Sequence, residues 1–546
     1  MATVSRGAEW RCRGTALIRT ALSPRTSRAM STRAASVGRE TIYALASAHG
    51  RAGVAVVRVS GPNARAVGAL VGTRAVVEDD VERASARATP RASMTASTSS
   101  ASTMPHGFAA MRGVDVGALP PRAMRAVEFR RASDGEALDS GFIVWFAAPR
   151  SFTGEDVVEL HIHGSLAVQR AMLDALGGLD GFRAAEAGEF SRRAFRNGKM
   201  DLTQAEGLAD LLNAETEAQR TQALKLSRYG AQRAMYERWR KELMTCAAHC
   251  EAALDFGEEE DISSDIVETG VRARVEALRE TLQGYLDAPA RGELIRRGVR
   301  VALVGAPNVG KSSMLNALAG REAAIVSPHA GTTRDVLEVA LELGGYKVIV
   351  SDTAGIRETA DDVEKLGIER ALKRAEDADV VVALDDVTSD VTSGAQALKT
   401  SAVNLSNKTV ITVWNKIDAL SPGKRRELLE IENEAAADGY DVSRVSCVTG
   451  EGFDDFVATL TRIVKNKCST NDHTDDDANA LAITRSRHRV NLARCVQALA
   501  AALDARALEL GAEELKHASR ALGRITGAYD VEDVLDVVFK DFCIGK

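Results

Sequence analysis

Residues 299–312 read VRVALVGAPNVGKS, and this stretch decides the fold of the central part of the chain. Residues 299–304 are almost wholly apolar, which is typical of a strand buried in a parallel sheet. Residues 305–312 fit the pattern Gly-x4-Gly-Lys-Ser, in which backbone N–H groups and a helix N-terminus hold phosphate oxygens. We therefore predict a strand, a phosphate-binding loop and a helix, with Lys311 at the β- and γ-phosphates and Ser312 on a magnesium ion.

Three further motifs follow in the order expected of a guanine-nucleotide-binding domain. Residues 331–335 (GTTRD) are predicted to form a switch segment, and residues 352–355 (DTAG) and 415–418 (NKID) each end a predicted strand. Because Asp418 can accept hydrogen bonds from guanine N1–H and its exocyclic amine, we predict GTP rather than ATP. The predicted nucleotide contacts are Asn308, Val309, Gly310, Lys311, Ser312, Ser313, Ser327, Thr332, Thr333, Asp352, Thr353, Ala354, Gly355, Asn415, Lys416, Asp418, Ser446 and Cys447, with Ser312 and Thr333 as magnesium ligands.

The residue after the DTAG motif raises the question of how GTP is hydrolysed. It is Ile356, which cannot orient the attacking water as the Gln of Ras-like GTPases does. An arginine finger accelerates hydrolysis by about 10³ to 10⁵, so another positive charge has to stabilise the transition state. The Asn308 side chain offers an oxygen to a monovalent cation, and the loop at 327–332 can add more. We predict a potassium ion where a finger's guanidinium would lie.

Composition limits the class of protein. The 546 residues suffice for about three domains, and 45% hydrophobic with 27% charged residues is typical of a globular protein. No apolar run approaches the ~18 residues of a membrane span, and the 4% of aromatic residues offer few stacking surfaces for bases. Seven cysteines do not indicate a disulfide framework. Cys246 and Cys250, beside His249, are interpreted as buried helix-face cysteines rather than a metal site.

The N-terminus differs from the rest of the chain. Residues 1–40 hold eight Arg, five Ser and two acidic residues, which is the composition of an organellar transit peptide; a disordered basic tail is the alternative. We predict a transit segment at 1–39 and a soluble protein of the mitochondrial matrix or the chloroplast stroma. The remaining residues carry a net charge of −12, so RNA binding would need a partner or a local basic patch.

Periodicity divides the chain into domains. Short strands predict an α+β domain at 40–200, interrupted by a disordered Ala/Ser/Thr/Arg-rich insertion at 84–104. Helical periodicity predicts a first helical half at 201–297 and a second at 468–546, on either side of a G domain at 298–467. The two halves are expected to pack together, with the G domain inserted between them.

Four motifs outside the nucleotide site resemble one family. Residues 51–61 (RAGVAVVRVSG), 151–164 (SFTGEDVVELHIHG), 188–204 (GEFSRRAFRNGKMDLTQ) and the terminal FCIGK resemble the MnmE (TrmE) GTPases, which modify the wobble uridine of tRNA. The resemblance extends from about residue 40 to 546, except for an insert near 72–125. The chain reads His163-Gly164-Ser165 where the family often has His-Gly-Gly.

The resemblance implies roles for individual residues. It implies a homodimer, a tetrahydrofolate one-carbon donor on the N-terminal domain, and an MnmG-type flavoprotein partner that carries FAD. With tRNA as substrate, the two proteins would install a carboxymethylaminomethyl or taurinomethyl group at C5 of the uridine. The implied folate contacts are Arg58, Glu159, Lys199 and Lys546. The implied potassium ligands are Asn308, Ser327, His329 and Thr332. The implied catalytic residues are Glu364, Arg334, Asp335 and the tail cysteine Cys543.

The predicted fold class is α/β and α multi-domain: an N-terminal α+β folate-binding domain, a helical domain and an inserted Ras-like P-loop G domain. His161 and His163 alternate onto the face of Glu159 and are interpreted as satisfied or pterin-lining rather than metal ligands. The alternative function is a ribosome-assembly GTPase of the Era/Der type. Such proteins carry a KH-like domain with a GxxG clamp after the G domain, and no such clamp follows residue 467.

Overall fold

The computed structural model describes most, but not all, of the chain. The described residues are 40–72, 114–256, 270–321, 338–352, 375–388, 408–437, 439–468 and 483–529, with 535, 538, 539, 542, 544 and 545. The predicted transit segment and the predicted insertion at 84–104 lie outside them. Within the described part, no helix is long and apolar enough to cross a membrane. The described residues fall in two compact units, one within residues 40–197 with 544 and 545, and one within residues 198–542.

The first unit contains a mixed sheet, which has seven strands in the described ranges. Its strands are β1 (Thr41–Leu45), β2 (Val54–Ser60), β3 (Val71–Gly72), β4 (Arg125–Arg130), β5 (Ala137–Phe146), β6 (Val157–His163) and β7 (Phe182–Ala184). Their order is β3-β4-β5-β6-β2-β1-β7, with β7 parallel to β1 and the other pairs antiparallel. The sheet confirms the strands from which an α+β domain was predicted.

Two helices cover the sheet of the first unit. Helix α1 (Leu166–Gly177) packs on a core that includes Met172 and Leu176, while α2 (Glu189–Arg196) contributes Phe190 to a smaller cluster. Ser165, where the family often has Gly, is the N-cap of α1 and accepts a hydrogen bond from Val168 N at 3.2 Å. A side-chain oxygen at this position satisfies an N–H that the helix leaves unpaired, so the substitution supports the local fold.

The second unit combines helices with a sheet that has six strands among the described residues. The helices are α3 (Leu202–Leu212), α4 (Glu217–Tyr229), α5 (Ala231–Phe256), α6 (Arg272–Asp287), α7 (Arg291–Arg297), α8 (Lys311–Arg321), α9 (Pro422–Ala437), α10 (Phe453–Cys468), α11 (Ser486–Asp504) and α12 (Leu508–Thr526). The strands are β8 (Val299–Val304), β9 (Glu338–Leu343), β10 (Tyr346–Asp352), β11 (Val380–Asp386), β12 (Thr409–Asn415) and β13 (Asp441–Arg444). The strand order is β13-β12-β11-β8-β10-β9, and only β9 runs antiparallel to its neighbour.

Helices that precede the sheet in the chain and helices that follow it share one hydrophobic core. Tyr236 and Trp239 of α5 lie buried with Leu499 of α11 and Leu522 of α12. Cys246 and Cys250 are buried in the same core, as their spacing in a helix indicated. The α/β segment is therefore inserted into a helical domain, and the predicted fold class is confirmed.

A buried ion-pair cluster ties α3 to the first turn of α11. The Glu206 carboxylate is 3% exposed and accepts hydrogen bonds from Arg487 Nε at 2.6 Å, Arg487 Nη2 at 2.8 Å and His488 Nε2 at 2.8 Å. Burial opposes the charge of Glu206, but His488 and Arg487 outweigh it and hold the pKa of Glu206 well below its usual range. The carboxylate also compensates for two basic side chains at a helix N-terminus, where the dipole disfavours them.

Candidate functional site

The predicted nucleotide residues meet at the carboxyl edge of the second sheet. The phosphate loop follows β8, Asp352 ends β10, Asn415 ends β12, and Ser446 follows β13. All four strands are mutually parallel, so their carboxyl ends lie at one edge. Ligands of open α/β sheets bind at this edge, where the strand order changes direction.

The phosphate loop has the backbone shape that binding requires. Asn308 and Gly310 both have positive φ, 64° and 102°. A Cβ on Gly310 would lie 2.2 Å from the Asn415 side-chain nitrogen, so no larger residue fits there. Lys311 is buried and donates hydrogen bonds to the carbonyl oxygens of Gly305 and Ala306, at 2.9 and 2.8 Å. Burial lowers the pKa of Lys311, and the Asp352 carboxylate partly offsets that effect.

Asn415 connects the phosphate loop to the loop after β13. Its side-chain nitrogen donates to Val309 O at 2.8 Å, and its side-chain oxygen accepts from Cys447 N at 3.3 Å. Asn415 is 2% exposed, and Ser446 is fully buried. Burial raises the pKa of the Cys447 thiol to about 11, although a hydrogen bond with Asn415 acts in the opposite direction. Three segments that are distant in the sequence are therefore held together by one amide group.

Asp386 is a residue of this site that the sequence reasoning missed. It ends β11, and its carboxylate accepts hydrogen bonds from Lys416 Nζ at 2.5 Å and from the Thr388 hydroxyl at 2.6 Å. Burial by itself would raise the pKa of Asp386, but these hydrogen bonds have the larger effect, so the pKa lies below its ordinary value. The available signal was the acid at the end of an apolar run, because parallel strands end at the site. Lys416 itself has a left-handed φ of 67°.

The predicted base contact Asp418 lies in a short turn, Ile417–Ala419, and is exposed. Val309 is buried, whereas Asn308, Ser312 and Ser313 are exposed at the mouth of the loop. These positions leave Asp418 and the loop residues accessible from solvent. The remaining predicted nucleotide, potassium and catalytic residues fall outside the described ranges: Ser327, His329, Thr332, Thr333, Arg334, Asp335, Thr353, Ala354, Gly355, Glu364 and Cys543.

Two described oxygens fit a magnesium ion. The Ser312 hydroxyl donates a hydrogen bond to the Asp352 carboxylate at 2.6 Å, and Asp352 is fully buried. A hydroxyl beside a carboxylate is an oxygen donor set of the kind that Mg²⁺ prefers, completed by phosphates and water. Of the predicted potassium ligands, Asn308 alone is described. Elsewhere among the described residues, no group of three His, Cys, Asp or Glu side chains could hold a metal.

Two of the predicted folate residues form a pair in the first unit. Arg58 and Glu159 lie opposite each other on β2 and β6, and Arg58 Nη2 is 2.9 Å from Glu159 Oε1. The guanidinium also lies over the rings of Phe152 and Phe190, at 5.4 and 5.9 Å. Glu159 Oε2 accepts no hydrogen bond from a described residue; its near neighbour is His161 Nε2 at 3.8 Å. That oxygen is suited to a donor from a ligand, such as the amino edge of a pterin.

The other predicted folate residues are placed differently. Lys199 is exposed and belongs to the second compact unit, and Lys546 lies outside the described residues. His163 pairs with Asp139, with 2.7 Å between its Nδ1 and the carboxylate. The chain end joins the first unit: Ile544 forms a β-bridge with Ala187.

Gly545, next to this bridge, has a φ of 98°. A Cβ on it would lie 2.0 Å from the Leu45 carbonyl oxygen, so the terminal motif needs glycine at this point. Of the terminal FCIGK motif, Ile544 thus pairs with Ala187, and Gly545 lies against the end of β1.

Comparisons with known proteins cover nearly the whole chain. A family model described as the MnmE helical domain matches residues 202–543, and one described as the GTP-binding protein TrmE N-terminus matches residues 41–199. The tRNA modification GTPase MnmE of Parvibaculum lavamentivorans is 46% identical over 511 residues, which cover 93% of this chain and 100% of that protein. The mitochondrial 5-taurinomethyluridine-[tRNA] synthase subunit GTPB3 of Danio rerio is 40% identical over 520 residues, covering 93% of this chain and 94% of that protein.

A crystal structure of Aquifex aeolicus Era bound to GDP and AlF4⁻ is 33% identical over 30% of this chain and 56% of that chain, with a TM-score of 0.25. That likeness is too small to bear on fold or function. The resemblance seen in the sequence and the predicted enzyme class, a GTP hydrolase that takes part in tRNA modification, are confirmed by the two family models and the relatives of similar length. The chain belongs to the MnmE family of tRNA modification GTPases.

Proposed function

We propose that this chain is a potassium-activated GTPase that modifies C5 of the wobble uridine in organellar tRNAs. It acts as a homodimer with an MnmG-type flavoprotein and uses a tetrahydrofolate one-carbon unit. The product is a carboxymethylaminomethyl- or taurinomethyl-type uridine. The single observation that carries the proposal is the convergence of the phosphate loop, Asp352, Asn415 and Cys447 at one edge of the sheet.

The described residues are assigned the following parts in nucleotide binding. Lys311 exchanges its hydrogen bonds with the carbonyls of Gly305 and Ala306 for bonds to phosphate oxygens. Ser312 and Thr333 would ligate Mg²⁺, with the Asp352 carboxylate hydrogen-bonded to Ser312 behind it, and the ion would neutralise phosphate charge. Asn415 keeps the phosphate loop and the Cys447 loop in register, so that Asp418 reaches the guanine edge. Base specificity and phosphate positioning are thereby linked through one buried amide.

Hydrolysis is assigned to groups outside the described residues, so it is tested by activity. GTP turnover is measured in KCl and in NaCl, for the wild type and for Glu364→Ala, with Glu376→Ala as the matched control at an exposed acid of the same domain. We expect sodium and Glu364→Ala each to lower the rate by about 10² or more, the size of a lost charge-stabilising group. Equal rates in both salts would refute potassium activation, and a wild-type rate for Glu364→Ala would refute that assignment.

Folate binding is tested at Glu159, the partner of Arg58. Titration of the protein with a tetrahydrofolate derivative is followed by calorimetry for Glu159→Gln. The control is Glu128→Gln, which alters another Arg–Glu pair of the same sheet, with Arg130 at 2.8 Å. We expect an affinity loss of about tenfold or more for Glu159→Gln, the value of one charge-assisted hydrogen bond. Equal affinities for the two variants would refute the site.

Function and compartment are tested together by mass spectrometry of wobble uridines. tRNA is taken from separated mitochondria and plastids after depletion of the protein. Loss of a C5-aminomethyl-type nucleoside from one fraction would support the proposal and name the organelle. Unchanged modification with defective ribosome profiles would support a ribosome-assembly GTPase instead. Deleting residues 543–546 separates the two, because an assembly factor has no need of the tail cysteine.

A further inference from the structure

The β9–β10 hairpin contacts the helix pair α3–α4 within the second unit. Ala218 N donates a hydrogen bond to Gly345 O at 3.1 Å, and Lys347 forms an ion pair with Glu215. We call these two interactions the hairpin contact. Lys347 and Glu215 are 132 residues apart in the chain, and their side chains are 21% and 23% exposed. The contact is therefore polar and partly solvated, unlike the apolar cores on either side of it.

The hairpin connects this contact directly to the nucleotide site. Strand β9 begins at Glu338, three positions after the end of the predicted switch segment at 331–335, and β10 ends at Asp352, which accepts the hydrogen bond from Ser312. The two strands pair over six residues, from Tyr346 opposite Leu343 to Ser351 opposite Glu338. Six strand residues span roughly 20 Å. A displacement at the phosphate end of this paired ribbon therefore moves its turn at Gly345.

Helix α4 also contacts the segment that leads into the phosphate-loop strand. Gln219 Nε2 donates to Arg296 O at 3.0 Å, and Gln222 Nε2 donates to Gly292 O at 3.0 Å. Both glutamines are buried, and both acceptors belong to α7, which precedes β8. The α4 helix is thus hydrogen-bonded both to the hairpin and to α7, the helix that leads into the sheet.

From α4, the contacts continue into the helical core. Helix α3, which precedes α4, carries Asp210, whose carboxylate accepts from Arg296 Nε at 2.9 Å and from Arg485 Nη2 at 2.7 Å. Arg485 directly precedes α11, and Glu206 on the same face of α3 binds Arg487. Helices α3 and α4 therefore lie between the nucleotide-binding sheet and the helices that lead to the C-terminal tail.

A cavity of about 670 Å³ adjoins the hairpin contact, and it is lined by Asp210, Glu215, Arg296, Lys347 and Arg485 among others. These charged groups are paired with one another across the cavity. A ligand that entered this cavity would have to displace several ion pairs. We therefore interpret the region as a movable contact between elements rather than as a ligand site. Space beside the ion pairs allows the helices and the hairpin to move without steric overlap.

We infer that the Glu215–Lys347 pair, with the Ala218–Gly345 hydrogen bond, transmits the nucleotide state of the G domain to the helical domain. This inference rests on the proposed function, since it names the positioning residues that connect GTP hydrolysis to tRNA modification. Within the described residues of the second unit, the side chains of Lys347 and Glu215 form no hydrogen bond or ion pair with the phosphate loop. Their loss should therefore leave GTP hydrolysis intact and uncouple it from modification.

The experiment uses the full-length protein as Lys347→Glu, Glu215→Lys and the double charge swap. The control is Lys424→Glu, at an exposed lysine of α9 in the same domain. Two quantities are measured: hydrogen–deuterium exchange of residues 217–229 with GDP and with a non-hydrolysable GTP analogue, and wobble-uridine modification per GTP hydrolysed. We expect each single variant to lose the nucleotide-dependent exchange difference and about tenfold in modification per GTP. Unchanged GTP hydrolysis in the single variants would show that they are folded, and the double swap should restore both quantities.

Several outcomes would overturn the inference. It fails if the wild type shows no exchange difference between the two nucleotides, or if Lys347→Glu keeps that difference. It also fails if the charge swap does not recover what the single variants lose. If the wild type shows the exchange difference and the variants lose it, but no tRNA is modified, the coupling stands and the proposed function fails. The two ideas are therefore tested separately.

Discussion

Replacing Glu206 by alanine should destabilise the helical domain strongly. The carboxylate accepts two hydrogen bonds from Arg487 and one from His488, and it is 3% exposed. Removing one partner of a buried ion pair costs about 3–5 kcal/mol, because the remaining charge is left without compensation. Arg487 keeps hydrogen bonds to the carbonyls of Arg524 and Ile525. We therefore expect a value near the lower limit, about 3 kcal/mol.

The assay has to report on the helical domain alone, since a chain with several domains does not unfold in one two-state step. Hydrogen–deuterium exchange at increasing urea, read from peptides of α3 and α11, gives the free energy of opening of this region. For a domain of this size, the loss corresponds to a fall in melting temperature of about 6–12 °C. Glu206→Gln keeps one acceptor oxygen and should lose less than the alanine variant.

The control is Glu513→Ala, at an exposed carboxylate of α12 that lies 3.4 Å from Arg520 and 3.6 Å from Lys516. Exposed pairs of this kind are worth about 0–1 kcal/mol. If Glu206→Ala opened with a free energy within about 1 kcal/mol of the wild type, the reasoning about the buried pair would be refuted.

Acid should weaken the same region in a defined direction. The pKa of His488 is lowered by burial, and that of Glu206 is lowered by its basic partners against burial. Both groups bind protons more readily in the unfolded chain, so the free energy of unfolding decreases as the pH is lowered. The loss begins below the ordinary His value of 6.5 and continues below the ordinary Glu value of 4.5. Glu206→Gln should lack the loss of stability below pH 4.5. Urea midpoints measured at several pH values would show this.

Three further predictions concern the nucleotide site. Gly310→Ala places a Cβ 2.2 Å from the Asn415 nitrogen, so GTP affinity should fall about 100-fold by calorimetry as Asn415 loses its two hydrogen bonds; unchanged affinity would contradict this placement. Asp386→Ala frees Lys416 and should weaken GDP binding about tenfold. Because the pKa of Asp386 is lowered below 3.8, its contribution should be constant from neutral pH down to that value, and a loss near pH 6 would argue against the pair. Cys447, with its thiol pKa raised to about 11, should react with maleimide at neutral pH about 100-fold more slowly than an ordinary thiol; rapid labelling, read by mass spectrometry, would show that it is not shielded.

The nucleotide-binding fold could be predicted from the sequence because its requirements are local. Strand β8 has the same bounds in the sequence prediction and in the structure, since an apolar run before a glycine-rich loop has few other conformations. Gly310 has a positive φ, which favours glycine, and Lys311 and Ser312 are the first two residues of the helix that follows the loop. Both features depend only on neighbouring residues. The interrupted helical domain was also predicted from periodicity. Amphipathic helices before and after the G domain have to bury their apolar faces, and they can do so against each other.

The partners of charged side chains were decided by the tertiary structure alone. Asp386 and Lys416, Glu215 and Lys347, and Glu206 and Arg487 are 30, 132 and 281 residues apart. In the sequence, each of these residues is one charge among many on a strand end or a helix face. An ion pair forms only where packing brings two such groups within about 4 Å of each other, and it is strengthened where water is excluded. Sequence alone therefore determined the class of ligand and the loop that binds it, whereas the packing of distant segments determined which charges stabilise the site and connect it to the helices.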